Sequence, residues 1–216
     1  MMTEAWRHFA AALLAGDERQ AYSLLANDPR PSIRVYKEII TPAMYDIGEK
    51  WLRNEITVAD EHLATSVCDF ALAQYVFPFK RRNKHSKDKV MFLCLEEEQH
   101  VIGSKMVAAL FEEQHWQVRH LGPNLPLAHA LSSAEQWRPE VIGLSAAIPY
   151  RIPALKEYIA AFEQLPWQPR VMVGGRVVSM HDIRPYCGRQ TQVIYDLEQV
   201  AAWLNELAEE EADGVW

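Results

Sequence analysis

Val90-Met91-Phe92-Leu93-Cys94-Leu95 is a continuous apolar run of strand length, the pattern of a strand covered on both faces. A helical pattern from about Gly103 to Gln114 follows, then a second strand from Trp116 to Leu121. A helix from Leu127 to Trp137 leads into the strand Val141-Ile142-Gly143-Leu144-Ser145. Ala154 to Leu165 is the next helix, Val171-Met172-Val173 the next strand, and Gln192 to Tyr195 a short last strand. A closing helix runs from Leu197 into an acidic tail. Strand and helix alternating at this spacing predict an α/β domain with a parallel, Rossmann-like (flavodoxin-like) sheet. Such sheets bind ligands at the carboxyl ends of their strands.

Upstream the period changes. Trp6, Phe9, Ala10, Leu13 and Leu14 fall at helical spacing, and Gly16 stops that helix. Asp17-Glu18-Arg19-Gln20 reads as a capping box for a second helix through Leu25. Asp28-Pro29-Arg30-Pro31 breaks the chain, because proline fits only a helix's first turn. The stripe Tyr36, Ile40, Met44, Ile47 and Trp51 predicts a third helix, and Thr57-Val58-Ala59-Asp60 caps a fourth toward Phe77. Four helices with short joints predict an antiparallel bundle. The expected domains are a helical cap over 1–79, a basic linker over 80–89 and the sheet domain over 90–216. Extended, that linker spans at most about 35 Å.

The 216 residues are 49% hydrophobic and 24% charged, which excludes a disordered chain. No apolar run approaches the roughly 20 residues of a membrane span, and the N-terminal stretch lacks the apolar core of a secretory signal. Cys68, Cys94 and Cys187 lie far apart, with no C-x-x-C pair, so neither a disulfide framework nor a zinc knuckle is expected. The expected location is the cytoplasm. With a net charge of −7, wholesale nucleic-acid binding is not expected, and the run Lys80 to Lys89 reads as a solvated linker.

Three elements fall at the sheet's functional edge. Glu98-Gln99-His100-Val101-Ile102-Gly103 leaves the first strand, Ser145 ends the third, and Gly174-Gly175 ends the fourth. Glycine at a strand end lets backbone approach a ligand closely. A loop histidine beside a glutamate suits a metal ligand whose second ring nitrogen is held by a carboxylate. His115, His120, His129 and His181 share no metal-ligand spacing and read as ordinary polar positions; Cys94 reads as inert packing.

Between Gly103 and Ser145 lie 41 residues, and 26 more separate Ser145-Ala146-Ala147 from Gly174-Gly175. Order and spacing resemble the D-x-H-x-x-G, S-x-L, G-G pattern of methionine-synthase-like cobalamin-binding domains, over roughly residues 89 to 207. The resemblance implies that the corrin lies over the strand ends, with His100 as the lower ligand of cobalt in place of the cofactor's own base. Glu98 stands at the family's Asp position and would fix the tautomer of His100. The displaced nucleotide tail would enter a slot past the loop Val101, Ile102 and Gly103, then Ser145, Gly174 and Gly175, with Ala147 replacing the motif's Leu.

The helical half is similar to the cap of light-responsive CarH/LitR-type regulators, over roughly residues 5 to 79. Trp51 and Glu61-His62 keep that group's W-x9-E-H spacing. The resemblance implies that Trp51, Glu61 and His62 shelter the upper axial group. Trp51 also continues the apolar stripe of the third helix, and Glu61 also suits a helix N-terminus. Two departures matter. Leu52 stands where the photoreceptors carry the histidine that ligates cobalt after illumination, and the expected chain has no DNA-reading domain ahead of its cap.

The implied cofactor is cobalamin, adenosylcobalamin first, with methylcobalamin and hydroxocobalamin as alternatives. The leading expectation is a non-enzymatic sensor, light among its signals, that acts on a regulatory partner protein or through self-assembly, with no nucleic acid or membrane contacted directly. The alternative is a corrinoid carrier serving methyltransferases, and a storage protein is the third reading. A complete adenosylcobalamin mutase is excluded, since nothing here forms its substrate barrel.

Overall fold

The computed structural model describes residues 4–80 and 88–212, in two compact units, Met1–Arg82 and Asn83–Trp216. The expected basic linker falls mostly on 81–87, outside the described residues.

The first unit is helical: α1 (Ala5–Leu14), α2 (Glu18–Ala26), α3 (Ser32–Val35), α4 (Thr41–Leu52) and α5 (Val58–Lys80). Gly16 takes φ +72° at the end of α1, the left-handed turn that glycine makes without a Cβ clash. Asp17 Oδ1 accepts from the Gln20 N–H at 2.8 Å, and Thr57 and Asp60 cap one another reciprocally. The third predicted helix differs from expectation. Between α3 and α4 the chain stays helical, but Tyr36–Ile40 is a π-turn. The core gathers Phe9, Leu13, Leu25, Tyr36, Ile39, Ile40 and Ile47 against Val67 and Leu72 of α5. Met44 is only half-buried and Trp51 is exposed, so the apolar stripe does not run unbroken into the core.

The second unit alternates β1 (Lys89–Cys94), α6 (Ile102–Glu113), β2 (Gln117–His120), α7 (Leu127–Trp137), β3 (Val141–Ser145), α8 (Ile152–Glu163), β4 (Arg170–Gly174), α9 (Arg176–Met180), β5 (Thr191–Val193) and α10 (Leu197–Ala212). The sequence pattern does not predict the short α9. The strands are parallel in the order β2-β1-β3-β4-β5, with Cys94 opposite Ser145 and Ser145 opposite Gly174, so the three expected site elements reach one edge together. Chain order reverses between β1 and β3, the switch point at which open α/β sheets place ligands. Every residue of β3 is buried. Gly143 in its middle leaves room for the Phe92 ring, which a Cβ there would meet at 2.3 Å.

At the opposite edge, two successive turns share one pattern. Trp137-Arg138-Pro139-Glu140-Val141 leads into β3 and Trp167-Gln168-Pro169-Arg170-Val171 into β4. Arg138 and Gln168 both take φ 49°. Left-handed backbone costs a non-glycine residue about 1 kcal/mol, and a following proline restricts it further. The turns are pinned to each other. Trp167 Nε1 donates to the Pro139 carbonyl at 2.9 Å, and Lys89 Nζ donates to the Trp137 carbonyl at 3.3 Å.

Candidate functional site

Strand β1 delivers its loop from a fully buried position. Glu98 is 0% exposed, and a carboxylate there is tolerable only if donors surround it. They do. Glu98 Oε1 accepts from the His100 N–H at 3.0 Å and pairs with His100 Nδ1 at 2.6 Å, while Oε2 accepts from the Ala147 N–H at 2.7 Å. Burial pushes the Glu98 carboxyl up, but these bonds outweigh it and hold the group below its ordinary value. An ionised Glu98 can only accept, so Nδ1 of His100 carries the hydrogen. In the neutral ring, Nε2 then offers its lone pair. The His100 side chain is 54% exposed, and Nε2 meets no hydrogen-bond partner among the described residues. The arrangement is a tethered imidazole aimed at an outside electrophile.

Two side chains with no distinguishing pattern in the sequence hold this loop. The Gly122 N–H donates to His120 Nδ1 at 3.2 Å, which places the His120 hydrogen on Nε2, where it donates to Ser104 Oγ at 2.9 Å. Ser104 Oγ in turn donates to the Val101 carbonyl at 2.8 Å. His120 thus ties the end of β2 to the start of α6, stacked on Phe92. Tyr158 of α8 donates to the Leu125 carbonyl at 2.6 Å and accepts from the Glu96 N–H at 3.3 Å. Both roles depend on contacts across the sheet, which no local pattern marks.

The slot residues occupy the same edge. Val101 and Ile102 start α6, and a Cβ at Gly103 would meet nothing within 4 Å. Ser145 is buried at the end of β3, and Ala147 lends its N–H to Glu98. Gly174 ends β4, and Gly175 takes φ +101° with its Cβ position 2.3 Å from the Ala146 carbonyl oxygen, so only glycine lets these strand ends approach. Open space at Gly103, a close backbone at Gly175 and one outward imidazole fit a corrin whose nucleotide tail is displaced. Among the described residues no group of three histidine, cysteine or acidic side chains gathers to cage a bare metal. A lone histidine suits a metal that brings its other ligands with it. Burial pushes the Cys94 thiol up, and pushes Cys187 up to about 11 with help from Glu163 and Asp182; neither is a ready nucleophile.

In the helical unit Trp51 stands next to last in α4 at 43% exposed, and the final residue, Leu52, is also exposed. Glu61 accepts from Thr65 Oγ1 at 2.9 Å, and His62 is 76% exposed with Nε2 3.8 Å from Glu61 Oε2.

Residues 88–186 match a family model described as a B12 binding domain, and residues 6–75 match a second model of the same description. Each of the two units thus carries a match to a B12 binding domain. The chain is 26% identical over 185 residues to the HTH-type transcriptional repressor CarH of Myxococcus xanthus, covering 82% of this chain. It spans 60% of that relative's length. Its fold is similar to the monomethylamine corrinoid protein of Methanosarcina barkeri, with TM-score 0.76 and 18% identity over 94% of this chain and 98% of that one. The methanol:cobalamin methyltransferase complex MtaBC of the same organism is similar over 98% of this chain and 80% of that chain, with TM-score 0.50 and 18% identity. Among the described residues no helix is long and apolar enough to cross a membrane.

Proposed function

We propose that this protein is a cobalamin-dependent sensor in which His100 is the lower ligand of cobalt, and that it passes the state of the upper ligand to a partner protein. The observation that carries the reading is the His100–Glu98 pair, with Nδ1 held at 2.6 Å and Nε2 facing outward. In this reading 1–79 is the cap and 90–216 the cofactor domain. Glu98 fixes the tautomer and adds basicity to the ligating nitrogen. Gly103, Ser145, Gly174 and Gly175 hold the nucleotide tail. Trp51, Glu61 and His62 are assigned the upper face by their spacing. Bound adenosylcobalamin would supply a cobalt–carbon bond that light can break. Similarity to a transcriptional repressor over most of the chain supports the sensor.

A carrier of methyl groups is the second reading, supported by the shared fold of a monomethylamine corrinoid protein. Absorption spectra after loading with adenosylcobalamin and desalting, in the dark and after green light, separate the two. A sensor retains the corrin and changes its size-exclusion mass on illumination. Retention with no light response beyond that of free cofactor favours the carrier or a sensor of another signal. His100→Ala is expected to lose histidine ligation and weaken retention. An unchanged spectrum in that variant removes His100 from the ligand role.

A further inference from the structure

One cleft of the second unit does not adjoin His100. It lies at the amino ends of β3, β4 and β5 and encloses about 680 Å³, within the range of roughly 300–1,000 Å³ usual for small-molecule sites. Three arginines reach it from three separate turns: Arg138 before β3, Arg170 at the start of β4 and Arg189 before β5. Trp167 and Trp203 line it with apolar surface.

Arg170 already has an interaction of its own, and Glu140, whose Oε2 accepts from the Lys89 N–H at 2.6 Å, adds one negative charge to the lining. The side chains of Arg138 and Arg189 form no ion pair or hydrogen bond with any described residue, and Arg138 lies over the Trp167 ring at 5.8 Å. A chain of net charge −7 thus presents two guanidiniums without ion pairs among the described residues in one concavity, where their field is focused rather than dispersed. The turn that carries Arg138 holds it in left-handed backbone ahead of a proline, so its placement is built in against local preference.

We propose that this cleft binds a small organic phosphate, its oxygens taken by Arg138 and Arg189, and its organic part set against Trp167. The guanidinium fork matches phosphate oxygens two at a time, and two such groups match the charge of a phosphate dianion. The site is independent of the cobalamin reading, since it occupies the opposite ends of the strands.

Isothermal titration of the full chain with adenosine 5′-monophosphate, inorganic phosphate and adenosine tests it. The expected result is saturable binding of the monophosphate, none of adenosine, and at least tenfold weaker binding in the paired variant Arg138→Ala, Arg189→Ala. Both side chains are exposed, and an unchanged melting temperature of the variant confirms that it folds. Silence with both the monophosphate and phosphate overturns the proposal. So does equal affinity in the paired variant, or adenosine binding as tightly as its monophosphate.

Discussion

The two edges of the sheet treat charge in opposite ways. At the carboxyl edge a single buried acid, Glu98, is satisfied by three N–H donors, and the loop shows the outside one lone pair. At the amino edge Arg138 and Arg189, without ion pairs among the described residues, line a cleft that Glu140 shares. One edge uses up its charge internally to orient an imidazole. The other keeps its charge for solvent or for an incoming anion. The same parallel strands serve both, because every strand points its carboxyl end one way and its turn residues the other.

The contrast breaks hardest at Glu98. Glu98→Ala strips the acceptor from the His100 ring and from the Ala147 N–H, at an expected cost of about 3 kcal/mol and a roughly 10- to 100-fold loss of cobalamin retention. Denaturant unfolding of the cofactor-free protein and desalting of the loaded protein read the two effects. A variant that unfolds and retains cofactor like the parent would show that the acid is incidental.

Acid sharpens the same contrast more gently. The folded pKa of Glu98 lies below the ordinary 4.5. Its contribution is therefore complete above that value and is lost as pH falls through the depressed one. Unfolding curves for the parent and Glu98→Gln are expected to differ by a constant amount above about pH 5 and to converge in acid. A gap that widens as pH falls contradicts the direction of the shift.

The smallest effect belongs to the other edge. Arg138→Gly relieves a left-handed backbone, and the denaturant midpoint is expected to rise by the equivalent of a few tenths to about 1 kcal/mol. A lower midpoint would mean that packing of Arg138 on Trp167 outweighs the strain.

Much of this architecture is written in short-range pattern. The run Val90–Leu95 and the switch from helical to alternating period predict the sheet, and the spacing of His100, Ser145 and Gly174 brings them to one edge. What the sequence does not mark is pairing at a distance. His120 and Tyr158 look like any polar residue on a strand and a helix; only packing brings them to Ser104, Leu125 and Glu96. Tyr36-Lys37-Glu38-Ile39-Ile40 carries no residue that distinguishes a π-turn from an α-turn. The repeated Trp-x-Pro-x-Val turns are visible in the letters, yet their left-handed backbone and the cleft they border are not.

That π-turn has a consequence for the exposed end of α4. A wider turn behaves as a helix carrying one surplus residue, and each residue rotates the downstream helix by about 100°. Trp51 stands eleven residues past Ile40, about 16 Å along the axis. Excising one residue between Tyr36 and Ile40 would restore a plain α-helix and swing the indole by more than a quarter of a circle. The compass bearing of the tryptophan is set by a surplus in the helix three turns before it.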